Sequence, residues 1–437
     1  MKNIFLFITI IAFLFSCDKS DPSPAISSDD QAVADDLNML AKQIEGIEAD
    51  LSSNDLAFLD DIADARMIGM GEATHGSKEF LQMKYRMFRY LAEKHQFRGV
   101  VFEIDVAEAM IFEDYVQGRR DDDIANLMKE NMYFWVWKTK EVRDMLFWMR
   151  AYNASRSEAD RVHIFGMDCQ TTFYNADRLI SIVKKADAAF AEDIKDHLQL
   201  YRRLMAGGDT SNSEIISKQI DYVVQSVNDH RAELISGGLT LEDFDNVAHL
   251  ARVLDQTHEL LYATKSYDYT VRDRFMAENA LWVLDHLNGG QNSKITLWAH
   301  NFHVGTDSGD QTEGSILRTK LQNNYKSVGF AFGKGAFNAV DPALGYVKFQ
   351  TITSDPVENS ISHFFSLSNR KMFSLNLAEV DASHPGLLNL ISTDHLFITI
   401  GSTYNGKPDD YYGNLTLRNN FDIVLYFDKV FATELLY

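Results

Sequence analysis

Five short runs of near-continuous apolar residues recur along the chain: RMIGMGE (66–72), RGVVFEID (98–105), RVHIFGMD (161–168), KITLWAHN (294–301) and KSVGFAFG (326–333). Apolar runs with little polar alternation suit strands covered on both faces, so they predict a sheet buried between helices. Between the first pairs the spacing turns helical. Phe80, Met87, Phe88 and Leu91 share one face of 77–95, and Ser77 or Thr74 stands where it can cap the start. Strands alternating with helices predict an α/β fold with a largely parallel central sheet flanked by helices. From about 175 to 288 the strand-like runs stop. Long amphipathic patterns such as SEIISKQIDYVVQSVNDHRAELIS predict an inserted all-helical subdomain there. No proline occurs between 25 and 341, which favours long helices. The last hundred residues return to strand-like runs: YVKFQTIT, HLFITIG and FDIVLYFDKV.

The first residues follow another pattern. Lys2 precedes an apolar run from Ile4 to Leu14, and LFSC (14–17) follows. That run is short for a membrane span and suits a secretory signal. Its end resembles a bacterial lipobox, which predicts cleavage before Cys17, lipidation of that cysteine and anchoring in the cell envelope. An ordinary cleaved signal with an incidental cysteine is the alternative. Residues 18–36 are acidic and poor in large apolar groups, and they read as a flexible tether ahead of a catalytic domain over 37–437.

Charge narrows the partners. With 42 Lys and Arg against 63 Asp and Glu, the net charge is −21, which repels nucleic acid and anionic lipid headgroups. Any membrane attachment is then expected through the lipid and not the fold. Cys169 is the only other cysteine, so no structural disulfide forms if Cys17 is acylated.

Candidate chemistry gathers at the strand ends. Glu72, Glu103, Asp168 and His300 stand at or near the ends of four predicted strands, where parallel sheets bind ligands. In GMGEATHGSKEF (70–81), His75 follows Glu72 by three residues across a turn flanked by Gly71 and Gly76. A carboxylate beside an imidazole holds one tautomer and raises its basicity, as a general base for water requires. WAHNFHV adds His300, Asn301 and His303: a second histidine to assist a leaving group or carbonyl, and an amide to donate to an oxyanion. Arg272 and Arg274 could supply positive charge nearby, or form an ion-paired helix start. YFWVWKT (133–139) reads as core more readily than as a substrate platform, and Cys169 as a buried thiol. There is no G-x-S-x-G elbow, no H-E-x-x-H, no phosphate-cradling glycine loop and no dinucleotide fingerprint. Two readings survive: metal-free hydrolysis, or the same histidines and carboxylates holding a zinc or manganese ion whose bound water attacks. A surface lipoprotein that captures a ligand without turnover is a third.

GEATHGSKEF, FEIDVAEAMIFEDYVQG, the block 137–153 (WKTKEVRDMLFWMRAYN), IFGMDCQ, RDRFMAEN and AHNFHV, in this order over roughly 65–305, resemble the erythromycin esterase family. The resemblance implies an α/β fold with a helical subdomain and hydrolysis of a macrolide lactone by water, without a covalent serine intermediate; no cofactor is the expectation, with a divalent metal as the alternative. It implies His75 as general base, Glu72 as its partner, Glu103 as the second glutamate, and either His300 or His303 as the later histidine. Lys84 stands where some members carry an arginine that binds substrate, and lysine lacks the planar fork. The expected substrate is a small-molecule ester or lactone. The family also includes proteins associated with polysaccharide biosynthesis, so the resemblance does not specify erythromycin.

Overall fold

The computed structural model describes residues 27–51, 54–207, 213–263, 268–287, 292–307, 309 and 311–436. The apolar leader, Cys17 and the first part of the acidic segment lie outside the described residues. The strands are β1 (Lys42–Gln43), β2 (Met67–Met70), β3 (Gly99–Asp105), β4 (His163–Asp168), β5 (Ile295–Trp298), β6 (Tyr325–Asp341), β7 (Tyr346–Ile352), β8 (Met372–Asn376), β9 (His395–Ile398), β10 (Tyr412–Leu415) and β11 (Ile423–Val430). Nine of them form one sheet in the order β1-β8-β11-β6-β2-β5-β3-β4, with β7 paired to β6. From β11 to β4 every neighbour on that path is parallel; β1, β7 and β8 are antiparallel additions. The fold is thus α/β with a mostly parallel sheet, as the apolar runs predict. All five predicted runs are strands of this sheet.

Helices cover both faces. Helices Lys78–His95 and Lys140–Asn153 pack on one side through Phe80, Met87, Phe88, Met145 and Met149; Tyr269–His286 and Pro385–Ser392 pack on the other through Met276, Ala280, Leu387 and Ile391. Between β4 and β5 every described element is helical, and Phe190, Ile194, Tyr201, Val223, Leu250 and Leu254 form a separate core there. No described helix is long and apolar enough to cross a membrane.

Two expectations need correction. The acidic segment is not a flexible tether as far as residue 36: helix Ser28–Leu40 begins inside it. Ser27 accepts from the Asp30 amide, Asp29 and Asp30 suit the helix N-terminus, and Val33, Ala34 and Leu37 are buried against Pro385–Ser392. Three small or medium apolar residues on one stripe suffice to dock a helix that its composition alone would leave free. HLFITIG is a strand, as its pattern predicts, and β9 pairs antiparallel with β10 apart from the main sheet. Ser77 occupies the cap position of helix Lys78–His95, but its hydroxyl donates to Glu79 Oε2 at 3.3 Å and makes no side-chain cap bond.

Candidate active site

Sheet register brings the predicted residues together. Met70 and Phe102 both pair with Trp298, so Glu72 and His300, just past the ends of β2 and β5, emerge beside Glu103 near the end of β3. Phe102 stacks on Trp298 at 4.8 Å and forms the apolar floor. The β3–β4 register slips between Phe102 and Asp105, a bulge where Glu103 leaves the ladder. The β2 and β5 ends are tied by the Asn301 amide donating to the Glu72 carbonyl at 2.9 Å.

Two ion clusters result. In the first, His75 Nδ1 lies 2.5 Å from Glu72 Oε1, and Lys84 Nζ donates to Glu72 Oε2 at 2.6 Å and to the Ala299 carbonyl at 3.0 Å. Glu72 and Lys84 are buried, whereas the His75 side chain keeps 12% of its surface open. Burial pushes the Glu72 carboxyl up, but the Lys84 charge and the His75 bond outweigh it and hold it ionised, below the usual range. Burial brings Lys84 down to about 8, against the pull of Glu72.

In the second cluster, Arg272 grips Asp168 with Nε at 3.0 Å and Nη2 at 2.7 Å, and Nη2 also reaches Glu103 Oε1 at 2.8 Å. His303 joins them: Nδ1 donates to Asp273 Oδ1 at 2.8 Å, and Nε2 faces both Arg272 Nη1 at 3.1 Å and Glu103 Oε1 at 3.3 Å. Burial disfavours the charged ring, yet Glu103 and Asp273 on either side raise His303 to about 10. Burial likewise opposes the Glu103 charge, and His303 and Arg272 overcome it, so its carboxyl stays well below the usual range.

His300 links the clusters. Its amide donates to Glu103 Oε2 at 3.2 Å, and its ring lies 5.3 Å from that of His75. Nδ1 accepts from the Phe302 amide at 3.3 Å, which puts the ring proton on Nε2, a buried atom with no partner among the described residues. Burial, with help from His75, lowers this imidazole to about 3, so it stays neutral.

Some expected residues are elsewhere. Asn301 does not face the cleft: its amide donates to the Phe330 carbonyl at 2.8 Å and accepts from the Phe330 amide at 3.0 Å, latching β5 to β6. Arg274 is about 200° around the helix from Arg272, points outward and pairs with Glu259 at 2.6 Å. Conversely, Asp273, read from sequence only as a neighbour of arginine, is buried and holds His303. Its Oδ2 accepts from the Glu313 amide at 2.9 Å, across forty residues of chain that no local spacing could reveal. Among the described residues, no three His, Cys, Asp or Glu groups are disposed to hold a metal ion. The Glu72, Glu103, Asp168 and Asp273 carboxylates are engaged by Lys84, Arg272 and the histidines. Cys169 is a buried thiol, as its sequence context predicts.

Gly71 and Gly76 serve contact more than turn geometry, since neither has a positive φ. A Cβ at Gly76 would overlap the Asn338 backbone, and one at Gly71 would overlap Asn301. The Gly76 carbonyl accepts from the Asn338 and Thr433 amides at 3.1 and 3.0 Å, which pins the His75 turn to β6 and to the C-terminal segment. Gly76→Ala therefore moves the turn, and kcat is expected to fall by about 10²-fold for a misplacement near 1 Å, together with a lower Tm. Unchanged kinetics would remove this anchoring role.

The Asp273–His303 pair makes a stability prediction. His303 is raised from 6.5 to about 10 on folding, so its contribution is complete below pH 6.5 and is lost as pH rises through about 10. Asp273→Asn is expected to cost about 3–5 kcal/mol in urea unfolding near pH 6, with the deficit shrinking toward pH 10. A deficit independent of pH would contradict a charged His303.

The erythromycin esterase family profile matches residues 92–430. Erythromycin esterase type II of Escherichia coli is 20% identical over 414 residues, covering 86% of this chain and 92% of that protein. A putative hydrolase of Bacillus subtilis, YbfO, is 22% identical over 76% of this chain and 79% of its own length. Among solved structures, a Bacillus cereus protein superposes with a TM-score of 0.82 at 23% identity, over 93% of this chain and 99% of that one. A mutant of the erythromycin esterase EreC in its open conformation superposes at 0.62 and 16% identity, over 87% and 95%. The match over most of its length places this chain in the erythromycin esterase family and, at family level, among hydrolases of ester or macrolide substrates.

Proposed function

We propose that this protein hydrolyses a carboxylic ester or macrolide-type lactone by direct attack of water, with His75 as general base. The observation that carries the reading is the His75 ring itself. Its Nδ1 proton is committed to Glu72, which leaves Nε2 basic, and the ring is the open edge of an otherwise buried cluster. Water gives its proton to His75 Nε2 while its oxygen bonds to the carbonyl carbon. The resulting oxyanion accepts from His300 Nε2–H, the unpartnered donor beside it. Collapse breaks the carbon–alkoxide bond, and the proton on His75 passes to the leaving oxygen. Lys84 keeps Glu72 ionised. Glu103, held by Arg272 and His303, fixes the His300 backbone. In this reading His300 is the later catalytic histidine, and His303 positions it.

A panel of neutral esters and lactones, assayed with and without EDTA, tests the proposal. Hydrolysis of at least one member, unaffected by chelation, is expected. Activity abolished by EDTA and restored by zinc or manganese would replace it with the metal reading. The proposal includes an envelope location through a lipid on Cys17, which the leader pattern supports. Metabolic labelling with a fatty acid should mark the wild type and not Cys17→Ser.

A further inference from the structure

Residues 431–436 follow β11 and cross the starts of helices Lys78–His95 and Lys140–Asn153. At the first crossing Ala432 bridges Ser77 antiparallel, the Phe431 carbonyl accepts from the Lys78 amide at 2.8 Å, and the Phe431 amide donates to Oε2 of buried Glu79 at 2.7 Å. A helix start leaves amides unpaired, and the Ser77 hydroxyl takes none of them, so the segment supplies what a side-chain cap would. At the second crossing Leu435 bridges Thr139, the Glu434 carbonyl accepts from the Lys140 amide at 2.8 Å, and the Leu436 amide donates to the Lys138 carbonyl at 2.8 Å.

Thr433 sits between the crossings and is the buried member of the segment. Its amide donates to the Gly76 carbonyl at 3.0 Å, its carbonyl accepts from Asn338 Nδ2 at 2.7 Å, and its hydroxyl donates to Glu141 Oε2. Backbone and hydroxyl are thus engaged by the residue after His75, by β6 and by helix Lys140–Asn153. Phe431 and Glu434 are exposed and Ala432, Leu435 and Leu436 only partly buried, so hydrogen bonds hold the segment more than apolar burial does. Both crossings adjoin the site. The first includes Gly76, next to His75. The second includes Lys138, next to Trp137, which is buried as a core reading of 133–139 requires and packs edge-on against Phe102 of the floor.

We propose that residues 431–436 are a strap that positions the general base, with Thr433 as its central link. The strap ties the His75 turn to the turn that carries Trp137, and so fixes the base relative to the aromatic floor. It acts through the Gly76 carbonyl and takes no part in bond making. Losing it should loosen the turn without freeing it, because Asn338 still donates to Gly76 and the Ile400 amide still donates to the Ala73 carbonyl at 2.7 Å. A base displaced by about 1 Å loses about 10²-fold in rate. The inference rests on the hydrolase reading for this rate effect alone; the geometry can be tested with no substrate present.

Carbethoxylation with diethyl pyrocarbonate, read histidine by histidine by peptide mass spectrometry, tests the strap in wild type, in a chain stopped after Val430, in Thr433→Val and in Thr433→Ser. His75, whose side chain keeps 12% of its surface open, should label about tenfold faster in the stopped chain and about threefold faster in Thr433→Val. His249, buried in helix Leu241–His258, should keep its wild-type rate in both. Thr433→Ser retains the hydroxyl and should label as wild type does. With an ester from the panel, kcat should fall in the same order in the first two variants while KM holds. His75 labelling unchanged in both, or a parallel rise at His249 that marks general unfolding in Thr433→Val, would overturn the proposal. Should the stopped chain not fold, Thr433→Val against Thr433→Ser decides on the same readouts. A rise at His75 alone in a chain that cleaves no ester keeps the strap and loses the hydrolase reading. Ester cleavage with His75 labelling unchanged does the reverse.

Discussion

His75→Ala is expected to lower kcat for ester hydrolysis by about 10²–10⁴, the range a positioned general base supplies. The fold should survive, because Glu72 retains its bond to Lys84 and the His75 ring is the cluster's most exposed member. Urea unfolding would show little change while the rate collapses, and that split separates chemistry from packing. Glu72→Gln gives a different outcome. It removes the imidazole's partner and also strands a buried lysine, so both rate and stability should fall.

Arg272→Leu is expected to cost about 3–5 kcal/mol of stability, because it leaves Asp168 and Glu103 buried without their shared cation. Arg272→Lys should recover only part of the loss, since a point charge cannot reproduce the two-pronged grip on Asp168. The pH dependence has a definite sign. Glu103 is depressed on folding, so its pairing stabilises the protein above the unfolded carboxyl range and is lost as pH falls through its folded value. The gap between wild type and Arg272→Leu should therefore narrow on acidification. Urea midpoints at pH 7 and pH 4, at constant m, read it directly. An equal deficit at both would mean that Arg272 acts by packing alone.

Much of this site was legible in the sequence because it sits at strand ends. Glu72, Glu103 and His300 each follow an apolar run by one or two residues, and parallel register alone brings such positions side by side. Cross-chain partners were harder to read. Asp273 and Glu313 meet only after the helical insertion folds back, and Asn301 proved to be a latch because β6 lies beside β2. Arg272 and Arg274 are both ion-paired near a helix start, one of the two readings their sequence allows, but they occupy opposite sides of that helix, so only Arg272 faces the site. The two-residue β1 carries too few residues for a period to show.

The central claim is that water, activated by His75, attacks the ester directly. Mass spectrometry of both substrate and protein during incubation with a fourteen-membered macrolide lactone, for wild type and His75→Ala, addresses it most directly. The account predicts a substrate heavier by one water with wild type alone, and a protein of unchanged mass throughout. A protein that accumulates the acyl group, or a His75→Ala variant that opens the ring at the wild-type rate, would contradict it.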